Sequence, residues 1–234
     1  MVLQACLNGT RSRLEHEAVP ITPAQLATDA RACRSAGARS MHFHPRDENG
    51  IETLDPGICA EALRAVRSVV ATAELGLSTG IWIEGSATAT RAAVESWHEL
   101  PDMVSVNLSE DGALELIELA LRRGIEVEAG LASVADAEKL VESEFAVRCR
   151  RALVEVEGDD SASAVALAGE IERVVYPTGI EQLHHGIGGA TWAVLEAARD
   201  RRHSIRVGLE DTLVMPDGST ARSNARLVRA AASL

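Results

Sequence analysis

Eight short apolar or alternating runs recur along the chain, and segments with helical apolar spacing separate them. Strands that alternate with helices predict a parallel sheet, and eight such units predict closure into one (β/α)8 TIM barrel over residues 1–234. A doubly wound open sheet is the alternative, but no GxGxxG turn follows the first run. The runs cover residues 2–8, 40–45, 74–80, 103–109, 125–131, 151–157, 180–187 and 204–210, and a last helical segment covers 221–234.

The predicted helices carry capping signals at both ends. Thr22 and Pro23 suit the N-cap and the first position of the first helix, and Gly37 suits its stop. The fourth helix ends with Arg122, a cation at the negative pole of the helix, and then Gly124. These signals support the division of the chain into repeated strand–helix units.

The composition of the chain limits which binding partners and which cellular location are expected. The chain has 234 residues, 46% of them hydrophobic, and a net charge of −12 from 23 basic and 35 acidic side chains. No basic face is expected, so nucleic acid is not expected as a partner. No signal-like N-terminus and no apolar run of roughly 18 residues occurs, so a cytoplasmic location without a membrane partner is expected. The four cysteines stand singly, which favours buried free thiols.

A His-x-His pair is the first candidate for chemistry. His42 and His44 lie two apart on the second predicted strand, so their side chains point the same way. Glu210 lies on the eighth strand, and in a closed barrel strands 2 and 8 flank strand 1. Two imidazoles and one carboxylate with an open coordination position are typical of a catalytic metal site. The alternative is a pair of core histidines and a salt-bridged glutamate.

Further polar residues stand near the carboxyl ends of the predicted strands, where barrel enzymes place their active sites. Of two glutamates on strand 5, the one nearer the carboxyl end is preferred, and of two adjacent histidines on strand 7, the one next to Gly186. Any single residue of this kind can instead cap a helix or satisfy loop backbone. The candidates are Asn8, Arg11, Ser78, Asn107, Glu128, His185, Arg206 and Asp211.

Several motifs fall in the order found in one enzyme family, and together they span nearly the whole chain. With them, the chain resembles the β-keto acid cleavage enzymes, whose founding activity is 3-keto-5-aminohexanoate cleavage. The motifs are Ala5-Cys6-Leu7-Asn8-Gly9, Pro20-x-Thr22-Pro23, Ala36-Gly37-Ala38, His42-Phe43-His44-x-Arg46-Asp47, Arg206-Val207-Gly208-Leu209-Glu210-Asp211 and Ser223-Asn224-Ala225.

The resemblance implies a zinc-dependent barrel enzyme that condenses a β-keto acid with acetyl-CoA and splits the adduct into acetoacetate and a new acyl-CoA. It implies a homo-oligomer, a tetramer in the family. Residue by residue, it implies the following roles: His42, His44 and Glu210 as zinc ligands, Arg206 and Asp211 as the family's Arg–Asp pair, Ser78 and Glu128 as its strand-3 serine and strand-5 glutamate, and Asn107 as its strand-4 polar residue.

One motif departs from the family. Members with the founding activity carry a Gly-x-Glu element after strand 1, which contacts the substrate amine, whereas this chain has Gly9-Thr10-Arg11. A cation at Arg11 predicts an anionic or neutral substrate side chain. The chain is also short for the family, which is consistent with trimmed loops or a reduced C-terminal region.

The expected chemistry follows from these residues. We expect Asp211, oriented by Arg206, to remove the C2 proton of the β-keto acid directly or through water, provided that the end of strand 8 bends. Ser78 and Asn107 would hold the substrate carboxylate or the developing oxyanion. Asn8, Arg11 and His185 complete the expected substrate-binding set.

Two other functions remain open on the sequence alone. One is another divalent-metal barrel enzyme, of the aldolase or sugar isomerase type, and the other is a non-catalytic barrel that binds a metabolite. A Schiff-base aldolase is disfavoured, because Lys139 is the only lysine and lies in a helical segment.

Overall fold

The computed structural model describes residues Met1–Leu234. Eight parallel strands form a closed barrel in chain order, with β1 paired to both β2 and β8. The prediction of a (β/α)8 TIM barrel is confirmed. The strands are β1 (Leu3–Cys6), β2 (Ser40–Phe43), β3 (Glu74–Ser78), β4 (Met103–Asn107), β5 (Glu126–Leu131), β6 (Arg151–Glu157), β7 (Gln182–Ile187) and β8 (Ser204–Val207).

Nine helices surround the strands, one more than the eight predicted, because the segment between β3 and β4 holds two. They are α1 (Pro23–Ala36), α2 (Pro56–Arg67), α3 (Ile81–Glu84), α4 (Ala87–Ser96), α5 (Ala113–Arg122), α6 (Val134–Glu142), α7 (Ser161–Val175), α8 (Thr191–Asp200) and α9 (Asn224–Ala231). Two short 3-10 turns cover Tyr176–Thr178 and Gly188–Ala190. None of the helices combines the length and the apolar character that crossing a membrane requires.

Local signals place the first helix as expected. Thr22 accepts a hydrogen bond from the backbone of Gln25, and the Gln25 side chain accepts one from the backbone of Thr22, which forms a capping box. Gly37 ends the helix at a φ of +124°. All four cysteines are free and buried, as predicted.

The main apolar core lies between the barrel and the helices, while the barrel interior is polar. Outward-facing strand residues such as Met41, Phe43 and Leu75 pack with helix residues in one cluster of 56 buried side chains. Inside the barrel near the strands' amino ends, Arg151 is fully buried and forms ion pairs with Glu128 and Glu74. Charged side chains therefore fill the barrel interior at the amino ends of the strands, and the open space lies toward the carboxyl ends.

The eighth strand is shorter than predicted and turns at its end. Pairing stops at Val207, and Gly208 accepts hydrogen bonds from the backbone of Asp211 and Thr212. A Cβ atom on Gly208 would lie 1.7 Å from the carbonyl oxygen of Cys6, so only glycine fits at this turn. The bend brings both Glu210 and Asp211 toward the barrel axis rather than to opposite faces.

Candidate metal centre and active site

Three potential metal ligands meet at the carboxyl ends of β2 and β8. His42 lies in β2, His44 follows it by two residues, and Glu210 lies in the turn after β8. The Nε2 atoms of the two histidines are 3.2 Å apart, and their rings meet at 81°. Glu210 Oε1 lies 3.8 Å from His42 Nε2 and 3.6 Å from His44 Nε2. The two histidines are buried and the glutamate is mostly so.

These donors fit a divalent ion. Ligand atoms around a tetrahedral zinc, with bonds of about 2.0–2.2 Å, stand about 3.4 Å apart, close to the three observed separations. Burial lowers the pKa of His42 well below its ordinary value, so its ring keeps a lone pair at neutral pH. Glu210 Oε2 is buried without a hydrogen-bond partner, an acceptor that a cation would satisfy. The three residues predicted from the sequence thus converge as a candidate metal site.

Two neighbours hold His44 in the orientation that a metal ligand needs. Glu52, from the β2–α2 loop, pairs with Nδ1 of His44, which leaves Nε2 directed at the cluster. Asn8 fixes the backbone of the same histidine: its Oδ1 accepts from the N–H at 2.9 Å, and its Nδ2 donates to the carbonyl at 2.8 Å. Asn8 is fully buried and does not line the pocket, and its side-chain amide is bound to the backbone of His44.

A polar pocket of about 260 Å³ opens above the cluster. It brings together seven of the residues singled out in the sequence: Arg11, His42, His44, Ser78, Asn107, Arg206 and Glu210. The remaining lining residues are Thr10, Glu15, Trp82, Ser105, Leu153, Glu155 and Ile187. Four predicted residues lie outside the lining, namely Asn8, Glu128, His185 and Asp211.

A cluster of potential metal ligands beside a polar pocket, at the carboxyl ends of barrel strands, is the setting expected of an enzyme active site. A profile of the beta-keto acid cleavage enzyme family matches residues 1–141 and 156–234. The chain belongs to this family. The family resemblance of the motifs is confirmed, and with it membership in a group of carbon–carbon bond-cleaving enzymes.

A curated protein is similar to this chain in sequence, and a solved structure is similar to it in fold. The 3-keto-5-aminohexanoate cleavage enzyme of Fusobacterium nucleatum is 23% identical over 249 residues, which cover 97% of this chain and 88% of that protein. The apo structure of ObcA is similar with a TM-score of 0.74 and 16% identity over 92% of this chain. This chain covers only 61% of ObcA, and at that identity the likeness shows the fold alone.

The fold is shared more widely than the family. The 3-dehydroquinate dehydratase of Geobacillus kaustophilus HTA426 is similar with a TM-score of 0.61 and 13% identity, over 97% of this chain and 89% of that one. Because the same barrel carries different chemistry there, function in this family member has to be argued from its site.

Arg206 contacts both the candidate ligand Glu210 and its neighbour Asp211. Its guanidinium forms an ion pair with Glu210 and lies 3.5 Å from Asp211 Oδ1. Burial would raise the pKa of Glu210, but Arg206 and the two histidines outweigh it and hold that pKa well below its ordinary value. Glu210 is therefore ionised at neutral pH, as a ligand carboxylate must be. The sequence made access of Asp211 to the substrate conditional on a bend at the end of strand 8; the bend is present, and Asp211 is fully buried.

Glu128 lies away from the pocket. It is fully buried near the amino end of the barrel, where its Oε1 is 2.8 Å from Arg151 Nε and accepts a hydrogen bond from Gln4 Nε2 at 2.7 Å. The preference for this glutamate rested on its being nearer the strand's end than Glu126. At the level of the pocket β5 instead presents Gly130, which pairs with Asn107, and Glu128 does not line the pocket.

Arg11, which follows β1, already forms an ion pair within the protein. Arg11 Nη1 lies 3.1 Å from Glu15 Oε1, and its Nε donates to the carbonyl of Glu210 at 3.3 Å. Both partners of the Arg11–Glu15 pair line the pocket. The positive charge of Arg11, which the sequence analysis treated as free, is therefore balanced by Glu15. Glu15 was not among the candidates from the sequence.

Two pocket residues on the opposite wall supply neutral donors and acceptors. Asn107 Nδ2 donates to Glu110 at 2.8 Å, which orients the amide, and Ser78 lies at the end of β3. Besides Glu15, two residues of this site were not selected from the sequence, Glu52 and Glu155. Glu52 lies in a loop without periodicity, and Glu155 lies in the segment 142–155 that the family profile does not match.

A second histidine cluster lies outside the barrel, against α7. His184, His203 and Glu172 have ligand atoms within 4.8 Å of one another. The two rings are stacked, with centroids 4.6 Å apart and planes at 11°. Because in-plane lone pairs of stacked rings lie in parallel planes, they do not converge on one ion. Glu172 is instead bound to His203 and Arg201, which gives this cluster a packing role.

Proposed function

We propose that this protein exchanges acyl groups between a β-keto acid and acetyl-CoA, releasing acetoacetate and a new acyl-CoA, with zinc as its metal. The observation that carries the proposal is the convergence of His42, His44 and Glu210 beneath a polar pocket, in a chain of the beta-keto acid cleavage enzyme family. ObcA, which shares the fold, has been solved with oxaloacetate, and with a C4-CoA adduct together with oxalate. A β-keto acid and a CoA adduct are the two ligand types that the proposed reaction requires.

His42, His44 and Glu210 would hold the ion. A divalent cation there would supply positive charge to the keto and carboxylate oxygens of the substrate and so favour loss of a C2 proton. Arg206 keeps Glu210 ionised and oriented. Ser78 and Asn107, on the facing wall of the pocket, would donate hydrogen bonds to the substrate carboxylate.

The Arg11–Glu15 pair sets our proposal for the substrate side chain. Since the two charges balance within the pocket wall, we propose a neutral side chain on the β-keto acid rather than a charged one. A free cation at Arg11 would have favoured an anionic side chain. The internal partner removes that preference.

The test is direct. Purified protein is incubated with acetyl-CoA and β-keto acids that carry neutral, anionic or cationic side chains, and acetoacetate is measured. We expect acetoacetate to form fastest with a neutral side chain, to stop after chelation and to return when zinc is restored. If zinc-loaded protein forms no acetoacetate from any acid of the panel, the proposed function is wrong.

A further inference from the structure

A buried asparagine at the start of α9 joins three segments that are distant in the sequence. Asn224 is fully buried, and both polar atoms of its side chain have partners. Its Oδ1 accepts a hydrogen bond from the backbone N–H of Leu209 at 2.6 Å. Its Nδ2 donates to the carbonyl oxygen of Leu7 at 2.7 Å and to Oδ2 of Asp29, in α1, at 2.6 Å. The side chain therefore binds the turn after β8 to the end of β1.

The turn that Asn224 binds is the one that carries Glu210. Leu209 directly precedes this candidate ligand, and the ladder between β8 and β1 has already ended at Val207. The backbone N–H of Leu209 is therefore satisfied by a side chain instead of by a neighbouring strand. Gly208 leaves room for this contact, because a Cβ atom there would lie 2.8 Å from Oδ1 of Asn224.

The end of β1 contacts the segments of two candidate ligands. Asn8, the residue after Leu7, binds the backbone N–H and carbonyl of His44 at 2.9 and 2.8 Å. Gly9 follows at a φ of +54°, and a Cβ atom there would overlap with the side chain of Glu210. β1 supplies no candidate ligand itself, but its end lies between the two ligand-bearing segments and is bound to both.

The distances within the cluster depend on where the backbone of Glu210 lies. Glu210 Oε1 is 3.8 Å from Nε2 of His42 and 3.6 Å from Nε2 of His44. A carboxylate that reaches a cluster from a turn keeps such distances only if other groups hold the turn. Groups that hold a metal ligand in place change metal affinity about 10- to 100-fold when they are removed. An amide that binds the turn on one side and β1 on the other is such a group.

We propose that Asn224 is a positioning residue of the metal site, which ties the Glu210 turn to the end of β1 and so sets the distance between the carboxylate and the two histidines. This rests on the metal site of the proposed function. It accounts for the Ser223-Asn224-Ala225 motif, whose asparagine neither lines the pocket nor belongs to the candidate ligands. The alternative is an asparagine that stabilises the fold without any effect on the metal.

The experiment measures metal binding without substrate, so that its outcome is separate from that of the acyl exchange. Zinc affinity is determined by equilibrium competition with a chelator, at a temperature where each variant is folded. Asn224→Ala should weaken zinc affinity about 10-fold or more. With cobalt in place of zinc, its visible absorption bands, which depend on the arrangement of the ligands, should differ from those of the wild type. A wild type that binds zinc but forms no acetoacetate contradicts the proposed function alone, and one that binds no zinc overturns both proposals.

Asp136→Ala is the matched control for a loss of stability. Asp136 is also buried in the first turn of a helix that follows a strand, and its Oδ2 accepts from the backbone N–H of Ala132 at 3.1 Å. It lies in α6 and does not line the pocket. This variant should lower Tm but keep the zinc affinity and the cobalt spectrum of the wild type.

The role of Asn224 is overturned if Asn224→Ala keeps zinc affinity within about threefold of the wild type, or if Asp136→Ala weakens it equally. Should Asn224→Ala fail to fold, the double variant Asp29→Asn with Asn224→Asp decides. It keeps an amide–carboxylate contact between the two positions and an acceptor for Leu209, but it loses the donor to Leu7. A zinc affinity lowered more than about threefold then supports the role, and a smaller change overturns it.

Discussion

Glu128 on β5 forms a buried ion pair with Arg151. Replacing this glutamate tests whether its role is structural or catalytic. In Glu128→Gln the charge is removed at constant shape, and the fully buried Arg151 loses a partner 2.8 Å away. Removing one member of a buried pair costs about 3–5 kcal/mol, because the other charge stays out of water. Arg151 keeps Glu74 at 2.7 Å, so we expect about 3 kcal/mol, the lower end of that range.

For a domain of this size, about 3 kcal/mol corresponds to a fall in Tm of about 6–12 °C. Thermal and urea denaturation measure this loss, and kcat for acetoacetate formation, at a temperature where the variant is folded, should change less than about threefold. Glu126→Gln on the same strand is the control. Its exposed pair with Arg150, at 3.4 Å, is worth at most about 1 kcal/mol. An unchanged Tm together with a 100-fold loss of kcat would refute the structural role and restore Glu128 as a catalytic group.

Three further predictions follow from side-chain and backbone contacts described above. Glu52→Gln should weaken zinc affinity about 10- to 100-fold, because it weakens the contact that orients His44; equilibrium metal competition measures this. Gly208→Ala should leave little folded protein, since its Cβ would meet the Cys6 carbonyl at 1.7 Å; soluble yield and Tm report it. Burial lowers the pKa of His184 to about 3, so the folded state stays neutral while the unfolded histidine protonates below about pH 6.5. The stability contribution of this ring is therefore present above that pH and should fall by about 2 kcal/mol between pH 7 and pH 5, a fall that His184→Asn removes in urea unfolding.

Each of these has a matched control within the chain. Glu48→Gln changes an exposed glutamate in the same loop as Glu52 and should leave zinc affinity unchanged. Gly169→Ala lies within α7, where a Cβ has room and alanine favours the helix, so Tm should hold or rise. His98→Asn, at an exposed histidine, should leave the pH dependence of unfolding as in the wild type. Equal effects in a control and its partner variant would contradict the corresponding argument.

The barrel and the clustering of the three candidate metal ligands were predictable because they depend on periodicity. Eight apolar runs separated by amphipathic segments specify repeated βα units, and strand alternation alone places His42 and His44 on one side. Closure of the barrel then brings the end of strand 8 close to strand 2. Glu210 reached the cluster although its strand had ended, since the turn at Gly208 remains on the barrel rim.

The residues whose surroundings differ from the expectation depend on contacts between distant segments. Asp211 was expected to become accessible if the strand bent, but the bend directs it at His185, a partner on β7 that neither residue's own strand reveals. Asn8 looked like a ligand-binding residue at a strand end and instead holds the backbone of His44. Polar residues at the predicted strand ends therefore located the site. They did not show which side chains face the pocket and which side chains hold those in place.

The same distinction explains which strand supplies the accessible carboxylate. At the level of the pocket β5 presents Gly130, and a Cβ atom there would lie 2.7 Å from Oδ1 of Asn107, so the amide already fills the space that a side chain would need. One strand further on, Glu155 faces a pocket wall with room for it and an imidazolium from β7 to balance its charge. Gly130 on β5 thus leaves room for the amide of Asn107, and Glu155 on β6 supplies the carboxylate of the pocket wall. The position of the pocket carboxylate on β6 follows from packing between strands, which the sequence of either strand alone does not contain.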